Sequence, residues 1–228
     1  MANNTRRRLS FIDMSHPQVW NKLLQYTEVT IALTKLIADF TNQWTKICLL
    51  ASSQLHQLVA DFRKKTESEI RAKCHVGGMM YDLWESLLLE TDIESQSLKK
   101  VACVLEKNIY TPLTSFIINK TLQLNIHKEH RRDFHQILEY GHQSVEQIRN
   151  EYTDIYNKEG VTPGFDLLHN EYILELTAVN SLYSKYQQSI SPQLLQSMEQ
   201  SQLTIIDTIC QNMQLMASIL QDYIKFHN

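Results

Sequence analysis

Basic side chains interleaved with histidines lie near the middle of the chain: Lys120, His127, Lys128, His130, Arg131, Arg132 and His135. Beside an anionic phospholipid surface, each Lys or Arg gains about 1 kcal/mol, so such a group can hold a protein at a membrane. The same side chains also suit a solvated helix face that binds nothing. Both interpretations stay open on these residues alone. We call Lys120, Lys128, Arg131 and Arg132 the central basic group.

A second cluster, the N-terminal basic group, comprises Arg63, Lys64, Lys65, Arg71 and Lys73. It closes the first long apolar pattern of the chain. Cations near a helix C-terminus offset the helix dipole, which would explain some of them. Five cations in so short a stretch exceed what a helix end needs, so this group is also a candidate for anion contact.

Histidines and carboxylates at helical spacing raise the question of a metal or catalytic site. Glu139-x-x-His142 is the fragment that di-iron bundles use twice. Here only an imperfect second copy follows, Asp166-x-x-His169, and neither a phosphate loop nor a nucleophile motif accompanies it. The sequence therefore predicts no enzyme, no catalytic residue, no metal and no cofactor.

Long helices must position these side chains. The stretch from Met79 to Lys158 is typical of one continuous helix. Its C-terminal third carries a 4-3 repeat that predicts a coiled-coil seam. The seam consists of Phe134, Leu138, Gly141, Val145, Ile148, Tyr152 and Ile155. Pro112 interrupts the front part, but apolar positions continue through it, which predicts a kink rather than an end.

Two further helical patterns flank this one. The earlier pattern has almost unbroken 4-3 spacing through Val19, Leu23, Tyr26, Thr30, Leu33, Ile37, Phe40, Trp44, Ile47, Ala51, Leu55, Leu58 and Phe62. The later one begins at Phe165 and restarts or kinks at Pro192. Gly77-Gly78 and residues 159–164 separate the three patterns. The predicted fold is all-α, with three long antiparallel helical arms, two of them kinked at a proline.

Composition excludes several classes of protein. The 228 residues include only 5 Gly and 4 Pro, too few for a many-turned β fold. The formal net charge of -3 gives no overall basic field for nucleic acid. No apolar run approaches the roughly 20 residues of a membrane span. The four cysteines lack paired spacing, which predicts free thiols.

The order of these features resembles the F-BAR family of membrane-curving helical dimers. The Ser10-Phe11 lead and Tyr26 resemble its opening FCH segment, and residues 82–91 are similar to the start of its second long helix. Residues 110–116 resemble its x-Pro-Leu-x-x-Phe kink, and residues 170–195 its third long helix. Two features depart from the family pattern. The tip at 158–164 is short, and the usual trailing short helix is absent.

The resemblance implies an elongated, crescent-shaped homodimer of antiparallel coiled-coil helices. Residues 16–228 would form one helical domain behind a flexible N-terminal lead, residues 1–15. The protein would be a cytoplasmic, peripheral membrane scaffold that senses or generates curvature on anionic lipid, in endocytosis or actin-linked remodelling. Its partners would be a second copy, the phospholipid surface and actin-regulatory or endocytic proteins. The alternative is a scaffold of the same fold that recruits proteins without strong lipid binding.

Named residues carry these expectations. Lipid contact is expected from the two basic groups. The kinks are expected at Pro112 and Pro192, and Ser10, after Arg6-Arg7-Arg8, is a candidate site for a basophilic kinase. Dimer and core contacts are expected from Trp20, Phe40, Trp84, Leu105, Ile109, Phe116, Tyr172 and Val179.

Overall fold

The computed structural model describes residues 10–14, 17–71, 78–160 and 163–226. After a 3-10 turn at Phe11–Met14, this part of the chain forms α1 (Pro17–Thr66), α2 (Met79–Leu105), α3 (Thr111–Glu159), α4 (Pro163–Lys185) and α5 (Ser191–Phe226). Five-residue π-helical segments extend α1 (Glu67–Arg71), join α2 to α3 (Glu106–Tyr110) and join α4 to α5 (Tyr186–Ile190). The prediction of an all-α fold with three long helical arms is confirmed.

Both prolines at the predicted kinks lie at the second residue of a helix that follows a π-helical segment. The N–H groups of the preceding residues, Thr111 and Ser191, donate to carbonyl oxygens five residues earlier. In a regular α-helix a proline ring clashes with the carbonyl four residues back, and its N–H is missing. The wider π turn relieves that crowding, so the helical course continues through Pro112 and Pro192.

Glycine and proline define the tip between α3 and α4. Gly160 has a φ of 69°, in the left-handed region that favours glycine, and its N–H donates to the Tyr156 carbonyl oxygen at 3.1 Å. Pro163 opens α4, where its missing N–H is not needed. The connection is therefore as short as the sequence predicted, although residues 161–162 lie outside the described parts.

The contacts divide the chain into two compact units. The first unit combines residues 1–29 with 120–204, and the second combines residues 30–119 with 205–228. Among the described helices, none is long and apolar enough to cross a bilayer.

In the second unit, α2 packs against α1 and α5. Ala102, Leu105 and Ile109 are each 0% exposed, and side chains from α1 and α5, including Cys48 and Tyr223, pack around them. Trp84 is half-buried, and its indole N–H donates to the Thr66 hydroxyl at 2.9 Å.

In the first unit, α3 packs against α4 along the seam predicted from the sequence. All seven seam residues from Phe134 to Ile155 are half-buried, whereas most of their neighbours are exposed. Stacked rings close the end of this seam, where Tyr152 lies 4.8 Å from Phe165 and 6.0 Å from Tyr172 between ring centroids. Val179 is buried opposite Gly141.

The face that α1 turns toward its own chain differs from the predicted apolar stripe. The buried positions mix apolar residues, among them Leu24, Ile31 and Val59, with six threonines: Thr27, Thr30, Thr34, Thr41, Thr45 and Thr66. The hydroxyls of Thr34, Thr41 and Thr45 donate to carbonyl oxygens four residues back at 2.8 to 2.9 Å. Other large apolar side chains, including Leu33, Phe40 and Ile47, lie on the opposite face and are exposed in the single chain. Phe116, on α3, is half-buried.

Gly141→Ala is expected to destabilise the protein by up to about 2 kcal/mol, because a Cβ at this position would lie 2.9 Å from Val179 Cγ2 and crowding costs about 1–3 kcal/mol. The gain in helix propensity, about 1 kcal/mol, does not offset this crowding. In a Val179→Ala background the same change is expected to stabilise, since only the propensity gain remains. Urea unfolding of the four proteins measures both effects, and stabilisation by Gly141→Ala alone would contradict the close packing.

Candidate anion-binding site

The central basic group lies on α3 in the first unit, and the structure divides it. Lys128, Arg131 and Arg132 line a cavity of about 720 Å³ formed by α1, α3, α4 and the π-helical segment after α4. Lys120 is not among its lining residues. Trp20, which the sequence predicted as a dimer or core residue, lines the same cavity as these cations.

Each of the three cations is held differently. The Arg131 guanidinium lies 5.4 Å from the centre of the Trp20 ring and donates to the Asn21 side-chain oxygen. Burial lowers the pKa of Arg131 from its ordinary value, and the nearby Tyr186 partly opposes that shift. Lys128 forms an ion pair with Glu28.

Arg132 points its charge toward solvent. Its Nε lies 3.5 Å from the Asp133 carboxylate, and both side chains are largely exposed. Exposed ion pairs contribute little because water screens them and both side chains lose entropy. The Arg132 guanidinium therefore remains able to exchange this neighbour for another anion.

An aromatic pair forms part of the cavity wall. Phe134 and Tyr186 are stacked, with 3.9 Å between ring centroids. Burial raises the pKa of Tyr186, and this outweighs the lowering by Arg131 and by a hydrogen bond with Ser191. The Tyr186 phenol therefore keeps its proton at neutral pH and can serve as a hydrogen-bond donor.

Lys120 belongs to a polar cluster between α3 and α5. Its ammonium donates to the Gln123 side-chain oxygen at 3.1 Å and to the Ser201 hydroxyl at 3.3 Å. Burial lowers its pKa. His127 is buried in the same region with its Nε2 3.4 Å from the Ser197 hydroxyl, and burial, then His130, lowers its pKa. These two side chains contribute to packing between helices.

The N-terminal basic group lies in the second unit. Arg63, Lys64 and Lys65 occupy the last turn of α1, and all three are exposed. The Lys65 ammonium lies 4.8 Å from the centre of the Phe62 ring. The side chain of Arg71 and all of Lys73 lie outside the described parts of the chain, so their lipid contacts stay predictions.

Ser10, the candidate phosphosite, contacts α5. Its hydroxyl and the Phe11 N–H both donate to the Glu199 carboxylate, the latter at 3.2 Å. A phosphate on Ser10 would face this carboxylate, and the like charges would repel each other. Phosphorylation of Ser10 stays a prediction, and it is expected to weaken this contact. The arginines of the kinase motif lie outside the described residues.

Across the described residues, no three or more His, Cys, Asp or Glu side chains converge as metal ligands would. The sequence predicted the cations that line the cavity, but it did not predict that Asn21 and Tyr186 would lie beside them. Neither residue shows a local signal, because each is far from Arg131 along the chain.

Comparison with known proteins identifies the fold. No family model and no curated protein matches the sequence. The crystal structure of the Hof1p F-BAR domain matches 95% of this chain and 86% of that chain, with 14% identity and a TM-score of 0.73. The EFC/F-BAR domain of Drosophila Syndapin/PACSIN matches 93% and 79%, with 11% identity and a TM-score of 0.40. The long helices define an all-α helical bundle. More narrowly, the chain has the F-BAR fold.

Proposed function

We propose that this protein is a non-enzymatic, homodimeric scaffold that binds anionic membranes and senses or generates their curvature. The observation that carries the proposal is the convergence of Lys128, Arg131 and Arg132 on one cavity wall, on the F-BAR fold. Cations beside an anionic lipid surface each contribute about 1 kcal/mol. A two-fold dimer doubles the number of such contacts. The expected location is cytoplasmic and peripheral to membranes.

A second copy of the chain is the proposed occupant of the apolar face of α1. In the second unit Leu36 is 65% exposed and Ile47 is 67% exposed, with Phe40 and Leu50 on the same face. Burying a large apolar side chain gains about 1.5–3 kcal/mol, so a continuous row of them favours association. The F-BAR fold supports self-association as the means of covering this face.

The test compares vesicles of phosphatidylcholine alone with vesicles that also contain phosphatidylserine. Co-sedimentation is expected only with the anionic vesicles. Lys128→Gln combined with Arg132→Gln is expected to weaken it by about 1 kcal/mol for each charge removed. Lys99→Gln combined with Lys100→Gln, two exposed lysines of α2, removes the same charge and is expected to have little effect. Equal losses in both variants would argue against a specific lipid-facing site.

The alternative is a protein-recruiting scaffold of the same fold. Its support is the acidic balance of the C-terminal two-thirds of the chain, residues 77–228, which hold 11 Lys or Arg against 19 Asp or Glu. In that case actin-regulatory or endocytic proteins would be the main partners. Absence of co-sedimentation with any anionic vesicle, for a protein that is folded and dimeric, would favour it.

A further inference from the structure

We propose that the cavity between α1, α3 and α4 is a discrete binding pocket for a phosphate ester, a recess that holds one phosphorylated group. This inference deepens the proposed membrane function, on which it rests for the lipid source of the ligand. The shared chemistry is a phosphate monoester on a polar carrier. Such a group could belong to a lipid headgroup or to a soluble phosphorylated polyol.

The charge of the lining is the first argument. Lys128, Arg131, Arg132 and His135 line the cavity, and the described lining residues include no Asp or Glu. The carboxylates of Glu28 and Asp133, which pair with Lys128 and Arg132, lie outside this lining. The whole chain, by contrast, has more acidic than basic side chains. Guanidinium groups bind phosphate oxygens with paired, charge-assisted hydrogen bonds, which suits two arginines on one wall.

An unsatisfied donor is the second argument. Trp20 lines the cavity and is only 2% exposed. Its indole N–H has no hydrogen-bond acceptor among the described residues. Buried donors nearly always have an acceptor, and one that lacks it costs free energy. The nitrogen itself is covered from solvent, so we infer that a phosphate held by Arg131, whose guanidinium lies over this ring, becomes the acceptor through a small shift of the ring.

The shape and the remaining lining form the third argument. A volume of about 720 Å³ lies within the roughly 300–1,000 Å³ typical of small-ligand sites. The stacked Phe134 and Tyr186 rings provide a firm wall, while Gln187 and Ser191 offer polar contacts. A flat basic face that only meets lipid headgroups would need neither a recess nor a buried donor. Together these features suit a polyol carrier whose hydroxyls bond to the polar side chains.

The experiment measures binding of inositol hexakisphosphate and of inorganic pyrophosphate to the purified full chain by calorimetry. Trp20→Phe keeps an aromatic ring for Arg131 but removes the indole N–H and part of the ring, and Arg132→Gln removes a solvent-facing charge. Each is expected to weaken binding about tenfold or more, the usual effect of losing a hydrogen bond to a charged group. Arg149→Gln, an exposed arginine elsewhere on α3, is the matched control and is expected to bind as the parent does. Melting temperatures of all variants verify that they are folded.

The outcomes separate the pocket from the membrane function. Soluble phosphate binding that depends on Trp20 and Arg132 supports the pocket, even if no vesicle is bound. Competition between the soluble probe and vesicles containing phosphatidylinositol bisphosphate identifies a lipid headgroup as the source, and lack of competition identifies a soluble ester. Binding to phosphatidylserine vesicles without any binding of the soluble probes would overturn the pocket and leave the membrane function standing. Equal affinities in all variants would overturn it as well.

Discussion

Ile47→Glu is expected to convert the protein into a monomer that keeps its helices. The side chain of Ile47 is 67% exposed in the single chain, so the substitution removes little internal packing. In the proposed dimer it would place a carboxylate in an apolar interface, at a cost of several kcal/mol. The dissociation constant should rise by at least about a hundredfold. Sedimentation velocity at micromolar concentration measures the mass, and circular dichroism measures the helix content.

Ser53→Glu is the matched control. Ser53 is exposed on the charged side of α1, at the spacing of Lys35, Asp39 and Lys46, away from the apolar face. The Ser53→Glu substitution introduces the same charge as Ile47→Glu and is expected to leave the dimer intact. A parent protein that sediments as a monomer at all concentrations, or an Ile47→Glu dimer as tight as the parent, would contradict the proposed interface.

Leu105→Ala is expected to lower the free energy of unfolding by about 2–5 kcal/mol, the range for removing a fully buried leucine side chain. Leu105 is 0% exposed and lies in the core cluster of the second unit with Ala102 and Ile109. It is also the last residue of α2 before the π-helical segment, where a cavity could close only by shifting that turn. Urea unfolding at a fixed protein concentration measures the loss, since a dimer's stability depends on concentration.

Val104→Ala provides the comparison for Leu105→Ala. Val104 is the neighbouring residue, but it is 37% exposed and truncation should cost less than about 1 kcal/mol. Similar losses from the two substitutions would mean that the core of the second unit does not centre on Leu105.

The fold could be predicted from the sequence where apolar spacing and intramolecular packing coincide. On α3 the 4-3 repeat from Phe134 to Ile155 marks the residues that pack on α4. On α1 the same kind of spacing marked a stripe that the single chain covers only in part, because Leu23 is buried while Leu33 and Phe40 are exposed. Hydrophobic spacing predicts a buried face without indicating whether the chain itself or a second copy covers it.

The candidate site could be predicted only in part, for a related reason. Charge clustering identified Lys128, Arg131 and Arg132, since neighbours in sequence are neighbours on a helix. It also included Lys120, whose ammonium bonds to the Gln123 side chain and the Ser201 hydroxyl. The enclosing wall comes from α1 and from residues after α4, far along the chain. Tertiary packing, which no local pattern encodes, makes a recess out of what the sequence suggests is a flat basic face.

The threonine hydroxyls on the inner face of α1 also affect how the second unit can move. Thr34, Thr41 and Thr45 donate to carbonyl oxygens of their own helix, so these bonds stay intact if α1 shifts along its neighbours. Such a shift would change packing contacts but would leave no threonine hydroxyl without a hydrogen bond. The Ser52–Ser95 hydroxyl pair joins α1 to α2, so the same shift would break it. The buried threonines of α1 therefore need no hydrogen-bond partner on a neighbouring helix. Polar contacts between helices, such as the Ser52–Ser95 pair, are what fix the position of α1 along α2.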